Sequence, residues 1–194
     1  MQKTSPPHAS PDQPSAWVMR FAPLIPEGEV LDLACGGGRH ARLLAGLGHA
    51  VLAIDRDPVA LKHAAGPHIT TQQLDLEDAG FAWPFAEERF AGIVVTNYLH
   101  RPLFPHIFRS LAPGGMLIYE TFAQGNEHFG KPSNSMFLLQ QGELLEFVAA
   151  EQRCALRVLA FEDGYLENPR PAMVQRICAI RAESAVASER LRLN

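Results

Sequence analysis

One stretch limits the fold more than any other. Residues 30–40 run from Val30, Leu31, Asp32, Leu33 and Ala34 into Cys35, Gly36, Gly37 and Gly38, then Arg39 and His40. A buried-type strand meets three glycines and passes into a helical pattern carried by Leu43, Leu44 and Leu47. Glycine permits positive φ and lets a ligand approach bare backbone, while the helix start that follows offers free N–H groups. Gly36, Gly38 and Ala41 also satisfy the loose Gly-x-Gly-x-x-Ala dinucleotide fingerprint. A tight turn that binds nothing is the plain alternative.

The rest of the chain repeats this alternation. Strands are expected over residues 30–34, 50–54, 69–74, 92–96 and 116–121, with helices over 39–47, from Asp57 and Pro58 onward, over 102–111 and over 143–150. Asp57 supplies an N-cap and Pro58 a first-turn residue, while Ala112, Pro113, Gly114 and Gly115 stop the helix over 102–111. Two last strands, 156–161 and 174–180, have no helix between them and should close the sheet as an antiparallel hairpin. The expectation is an α/β, single-domain, doubly wound Rossmann-like sheet of about seven strands, mostly parallel. Residues 16–181 form that domain. A proline-rich flexible tail is expected over residues 1–15 (Pro6, Pro7, Pro11, Pro14) and a charged tail over 182–194.

Composition narrows the function classes. A chain of 194 residues has room for one ordinary domain, and 47% hydrophobic residues exclude wholesale disorder. A net charge of -4 argues against a nucleic-acid binder that works by covering phosphates. Cys35, Cys154 and Cys178 are widely spaced and odd in number, as suits a reducing cytoplasm, and the eight histidines share no metal-ligand spacing. No run reaches the ~18 apolar residues of a membrane span, and the first residues lack a signal peptide's apolar stretch. A monomer and a homodimer both remain open.

Three acids then give the loop its meaning. Asp32 lies inside the first strand, where a dinucleotide-binding strand usually has an apolar residue. A carboxylate there suits a ligand bearing a positive amino group. Asp55 ends the second strand, where it can hold a ribose diol. Asp75 and Leu76 end the third, where an acid can accept from an adenine amine and leucine can cover the ring. With Leu111, Ala112, Pro113, Gly114 and Gly115 before the fifth strand, these residues resemble class I S-adenosylmethionine-dependent methyltransferases over about residues 16–181. The Cys-Gly-x-Gly-Arg variant of the loop is similar to that of small bacterial tellurite-resistance and thiol-type enzymes. The resemblance implies S-adenosylmethionine as cofactor and S-adenosylhomocysteine as product. It implies that Asp32, Ala34, Gly36, Gly38 and Asn97 contact the methionine moiety, with Arg39 beside them. Asp55 and Arg56 would meet the ribose, Asp75 and Leu76 the adenine. Thr96, Asn97, Tyr98, Leu99 and His100 lack the prolines of the amine-modifying nucleic-acid enzymes.

Residues beyond the fourth and fifth strands are the candidates for chemistry. His100, Glu120 and Tyr98 are the catalytic expectation, with His100 as the base. Arg101, Phe122, Phe129 and Lys131 are expected to surround a small acceptor such as a thiolate or an oxyanion, Glu120 pairing with Arg101 or Lys131. Trp17, Val18 and Phe21 are apolar at helical spacing and could close over the cofactor as a lid. Two other readings stay open: a nicotinamide-dependent oxidoreductase using the same glycines and Asp55, and a non-catalytic binding module on the same fold.

Overall fold

In a computed structural model, residues 12–78, 80 and 82–182 are described. Most of the expected N-terminal tail, residues 1–11, and the C-terminal tail from residue 183 lie outside them. Twelve regular elements follow in order: α1 (Ala16–Phe21), β1 (Glu29–Leu33), α2 (Arg39–Gly46), β2 (Ala50–Asp55), α3 (Pro58–Ala64), β3 (Ile69–Gln73), β4 (Phe90–Thr96), α4 (Phe104–Ser110), β5 (Leu111–Phe122), α5 (Glu143–Ala150), β6 (Leu156–Leu166) and β7 (Ala172–Arg181).

These strands form one seven-stranded sheet in the order β3-β2-β1-β4-β5-β7-β6. The first five run parallel, and β7 enters antiparallel between β5 and β6. The strand order reverses between β1 and β4, so the crevice at their carboxyl ends is the switch point where such sheets take ligands. Both faces are covered, which is why β4, Phe-Ala-Gly-Ile-Val-Val-Thr, is buried along its whole length. One core packs Leu31, Leu33, Ile93, Val95, Leu117 and Tyr119 beneath α4 and α5; the other packs Val30, Val94, Met116, Ile118 and Cys178 beneath α1, α2 and α3.

Differences from expectation lie at element ends. Ala34 leaves the first strand because its φ is +55°. The turn expected at residues 112–115 is instead a bulge inside β5: Leu111 pairs with Phe90, and the ladder resumes at Met116 opposite Gly92. Arg101–Leu103 form a 3-10 turn ahead of α4. Ser15 is no part of a loose tail. Its side chain caps α1 by accepting the Trp17 N–H, and Trp17, Val18 and Phe21 are buried.

Candidate functional site

The glycine loop leaves β1 and turns immediately. Gly36 and Gly38 have φ of +52° and +77°. They differ in what surrounds them. A Cβ on Gly38 would meet Ala64 Cβ at 2.5 Å, so this glycine exists to let α2 lie against α3. Around Gly36 nothing stands within 4 Å of an added Cβ, leaving an open cradle. Ala34 and Asn97, directly after adjacent strands β1 and β4, both sit in left-handed backbone that non-glycine residues seldom adopt, and such residues gather at functional sites.

Asp32 lies under this loop with 1% exposure, and its Oδ2 has no hydrogen-bond partner. Burial pushes the carboxyl up to about 7, against the opposing pull of the Ala41 backbone N–H and the Arg39 guanidinium. An orphaned carboxylate oxygen four residues before an open glycine cradle fits a ligand ammonium group. Asp55 braces the loop: Oδ2 accepts the Gly36 N–H at 2.8 Å and Oδ1 the Asp57 N–H at 2.9 Å. Each oxygen keeps acceptor capacity for a hydroxyl. Asp75 is exposed and accepts the Glu77 N–H at 3.0 Å, beside the buried Leu76. Arg56 is exposed and its carbonyl accepts from Gln73, whereas Arg39 reaches back to the Gln13 carbonyl at 3.3 Å.

The expected catalytic residues do not converge. His100 lines a cavity of about 220 Å³ with Leu76, Trp83, Leu103 and His106, which puts it beside the expected adenine position. Tyr98 faces Glu77 and Asp75 on that same side, and burial, then those acids, push its hydroxyl up. Arg101 holds the Glu143 carboxylate with Nε at 2.6 Å and Nη2 at 2.9 Å, and donates to the Met136 and Leu138 carbonyls. Its fork is therefore a structural clamp, not a free anion site. Glu120 pairs neither with Arg101 nor with Lys131 but with Arg176, Nε to Oε2 at 3.4 Å. Burial pushes its carboxyl up, while Arg176, the Ser15 hydroxyl and Arg39 pull it down. Phe122 packs with Leu138 and Val174 under the Arg170 guanidinium. Phe129 is half exposed against Tyr165, and Lys131 is exposed.

Sequence reasoning missed two residues here. Arg176 carries no motif, yet strand register sets it opposite both Glu120 and Glu162. His40 reads from sequence as one of eight unremarkable histidines. In the structure it is buried, with Nε2 accepting the Ser15 N–H at 3.0 Å and Nδ1 3.3 Å from Thr96 Oγ1. Its only sequence signal is its place directly after the loop.

The open crevice at a β1/β4 switch point, with an acid buried beneath a glycine cradle, defines the class I S-adenosylmethionine-dependent methyltransferase fold. Comparison agrees. Residues 30–115 match the family model described as methyltransferase domain. S-adenosylmethionine is the cofactor of the class. A protein-L-isoaspartate O-methyltransferase of Chlorobaculum tepidum is 38% identical over 99 residues, covering 48% of this chain and 45% of that protein. A trans-aconitate 2-methyltransferase of Methylobacterium nodulans is 29% identical over 159 residues, 78% of this chain and 59% of that one. The chain thus spans about half the length of the curated relatives it matches. Among solved structures, a putative S-adenosylmethionine-dependent methyltransferase from Listeria monocytogenes superposes with a TM-score of 0.64 at 15% identity, covering 86% of this chain and 98% of that one.

Proposed function

We propose that this chain transfers a methyl group from S-adenosylmethionine to a small acceptor that carries negative charge. The observation that carries the reading is the unpartnered Asp32 oxygen below the open Gly36 cradle. Asp32 would hold the ammonium of the methionine moiety, Asp55 the ribose hydroxyls, and Asp75 with Leu76 the adenine edge. His100 and Tyr98 then belong to the adenosine side, so proton removal by His100 is a weaker assignment than the sequence suggests. The cofactor supplies a methyl already activated on a sulfonium, which leaves the chain to orient the acceptor and exclude water. One of the relatives is named for trans-aconitate, which favours a small acid over the thiols that the loop variant suggests.

Calorimetry and thermal unfolding with S-adenosylhomocysteine and with NAD test the cofactor. Saturation at about 100 times Kd should add about 2.7 kcal/mol with the sulfur ligand and nothing with the nicotinamide one. A shift with NAD alone would restore the oxidoreductase reading. Binding of S-adenosylhomocysteine without turnover on small carboxylic acids, thiols, oxyanions or phenols would favour the binding module.

A further inference from the structure

Helix α1 lies on the sheet face that carries Asp32, over a row of polar side chains set by strand register. Thr96 of β4 stands opposite Glu120 of β5, which stands opposite Arg176 of β7, which stands opposite Glu162 of β6. The segment meets this row and the glycine-loop helix with nearly every polar group it has. Ser15 gives its backbone N–H to His40 Nε2 at 3.0 Å, and its hydroxyl faces Glu120. Gln13 offers its carbonyl to Arg39. Trp17 donates its indole N–H to the Ile177 carbonyl at 3.4 Å and lays its ring 5.6 Å from the Arg176 guanidinium.

Six residues are too few to hold a helix without tertiary support, so α1 forms only while docked. Two of its ties end on Arg39 and His40, the first two residues of α2, directly after Gly38. Because Ser15 donates, Nε2 of His40 is the bare nitrogen and the ring proton sits on Nδ1, facing Thr96 Oγ1. Burial, then the Arg39 charge, holds the imidazole down at about 3, so it stays neutral and keeps accepting throughout the ordinary pH range.

We propose that His40 is a positioning residue: acting through the Ser15 N–H, it fixes α1 over the carboxyl edge of β4 and β5 and couples this roof to the cofactor loop. The words roof and cofactor loop rest on the methyl-transfer reading; the tie itself does not. His40 touches neither reactant. Ligand that orders the glycine loop orders the start of α2, and His40 passes that order on to α1.

Tryptic cleavage after Arg20, exposed in the last turn of α1, reports undocking. Ser15 has φ -58° and ψ 139°, which proline accepts, so Ser15→Pro removes the N–H donor while Ser15→Ala removes only the hydroxyl. Without cofactor, Ser15→Pro should be cleaved roughly five- to tenfold faster than Ser15→Ala, the loss expected for one net hydrogen bond. His40→Leu should match Ser15→Pro, and His40→Gln, which offers an amide oxygen in place of Nε2, should stay close to the native protein. Should His40→Leu fail to fold, the Ser15 pair decides alone. S-adenosylhomocysteine should slow cleavage of the native protein and of His40→Gln but not of Ser15→Pro. By reciprocity its affinity for Ser15→Pro should fall by the factor of protection lost. With a working acceptor, Ser15→Pro should raise KM several-fold and leave kcat within about twofold. Equal cleavage of Ser15→Pro and Ser15→Ala, or full ligand protection of Ser15→Pro, overturns the proposal. Failure of the native protein to bind S-adenosylhomocysteine overturns the methyl-transfer reading instead, and the cofactor-free comparison still stands.

Discussion

At Asp32 burial opposes the charge that the site would use. Its carboxyl titrates near 7 when folded and near 3.8 when unfolded. Below the lower value both states hold the proton and nothing is lost. As pH rises through the upper value the folded state must carry a buried anion, and stability falls. Asp32→Asn should therefore gain on the native protein by roughly 1–3 kcal/mol between pH 5 and pH 8 in urea unfolding, and should lose S-adenosylhomocysteine affinity. The added stability that ligand gives the native protein should grow over the same interval, because an ammonium partner favours the anion. A flat difference would mean that Asp32 is already compensated. The acid itself is legible in sequence, since a carboxylate inside an apolar strand is conspicuous. Its missing partner is not, because orphanhood depends on what α2 brings near. Glu120 shows the same limit: an awkward acid is visible from its neighbours, but Arg176 lies 56 positions further along the chain and only strand register joins them.

Elements explain why similar residues carry different duties. Gly36 and Gly38 look alike in sequence, yet one faces open space and the other faces Ala64. Gly38→Ala should cost about 2 kcal/mol or more in unfolding experiments, from helix contact and left-handed backbone together. Gly36→Ala should cost about 1 kcal/mol from backbone alone and weaken S-adenosylhomocysteine by tenfold or more in calorimetry. The reverse ranking would move the cradle elsewhere. Arg101 belongs at this scale too, since it straps the segment around Met136 and Leu138 to α5 through Glu143. Arg101→Ala should destabilise by about 2–4 kcal/mol, because the nearly buried Glu143 side chain is left unpaired. Periodicity located α5 to its residues and most strands to within two residues at each end, but it began five residues late at β5 and stopped five short at β6, whose outer half is mostly exposed and carries no apolar alternation. The bulge at residues 112–115 hid inside what reads as a plain helix stop.

The whole molecule is organised around where β7 goes. Lying between β5 and β6, it completes the sheet and carries Arg176 and the Ile177 carbonyl that receive Trp17. A chain ended after residue 170 should leave β5 as a bare edge, undock α1 and self-associate. In a Trp83→Phe background, the emission of Trp17 should then shift to the red, and size-exclusion chromatography should show larger species. Unshifted emission would mean that α1 docks on β5 and α2 alone. Alternation of strands and helices made the parallel half legible, and the helix-free final pair signalled an antiparallel ending. That β7 inserts instead of adding at the outside follows from no local pattern, since β6 and β7 are equally plausible neighbours of β5.

That insertion has a consequence for the order of events on a ribosome. Of the described elements, α1 emerges first and β7 last, yet α1 rests on β7. Throughout translation the first helix must wait, with Trp17, Val18 and Phe21 uncovered, until the final strand has emerged. Only then can the crevice acquire its cover, so a nascent chain could build the glycine loop early and still have no closed site.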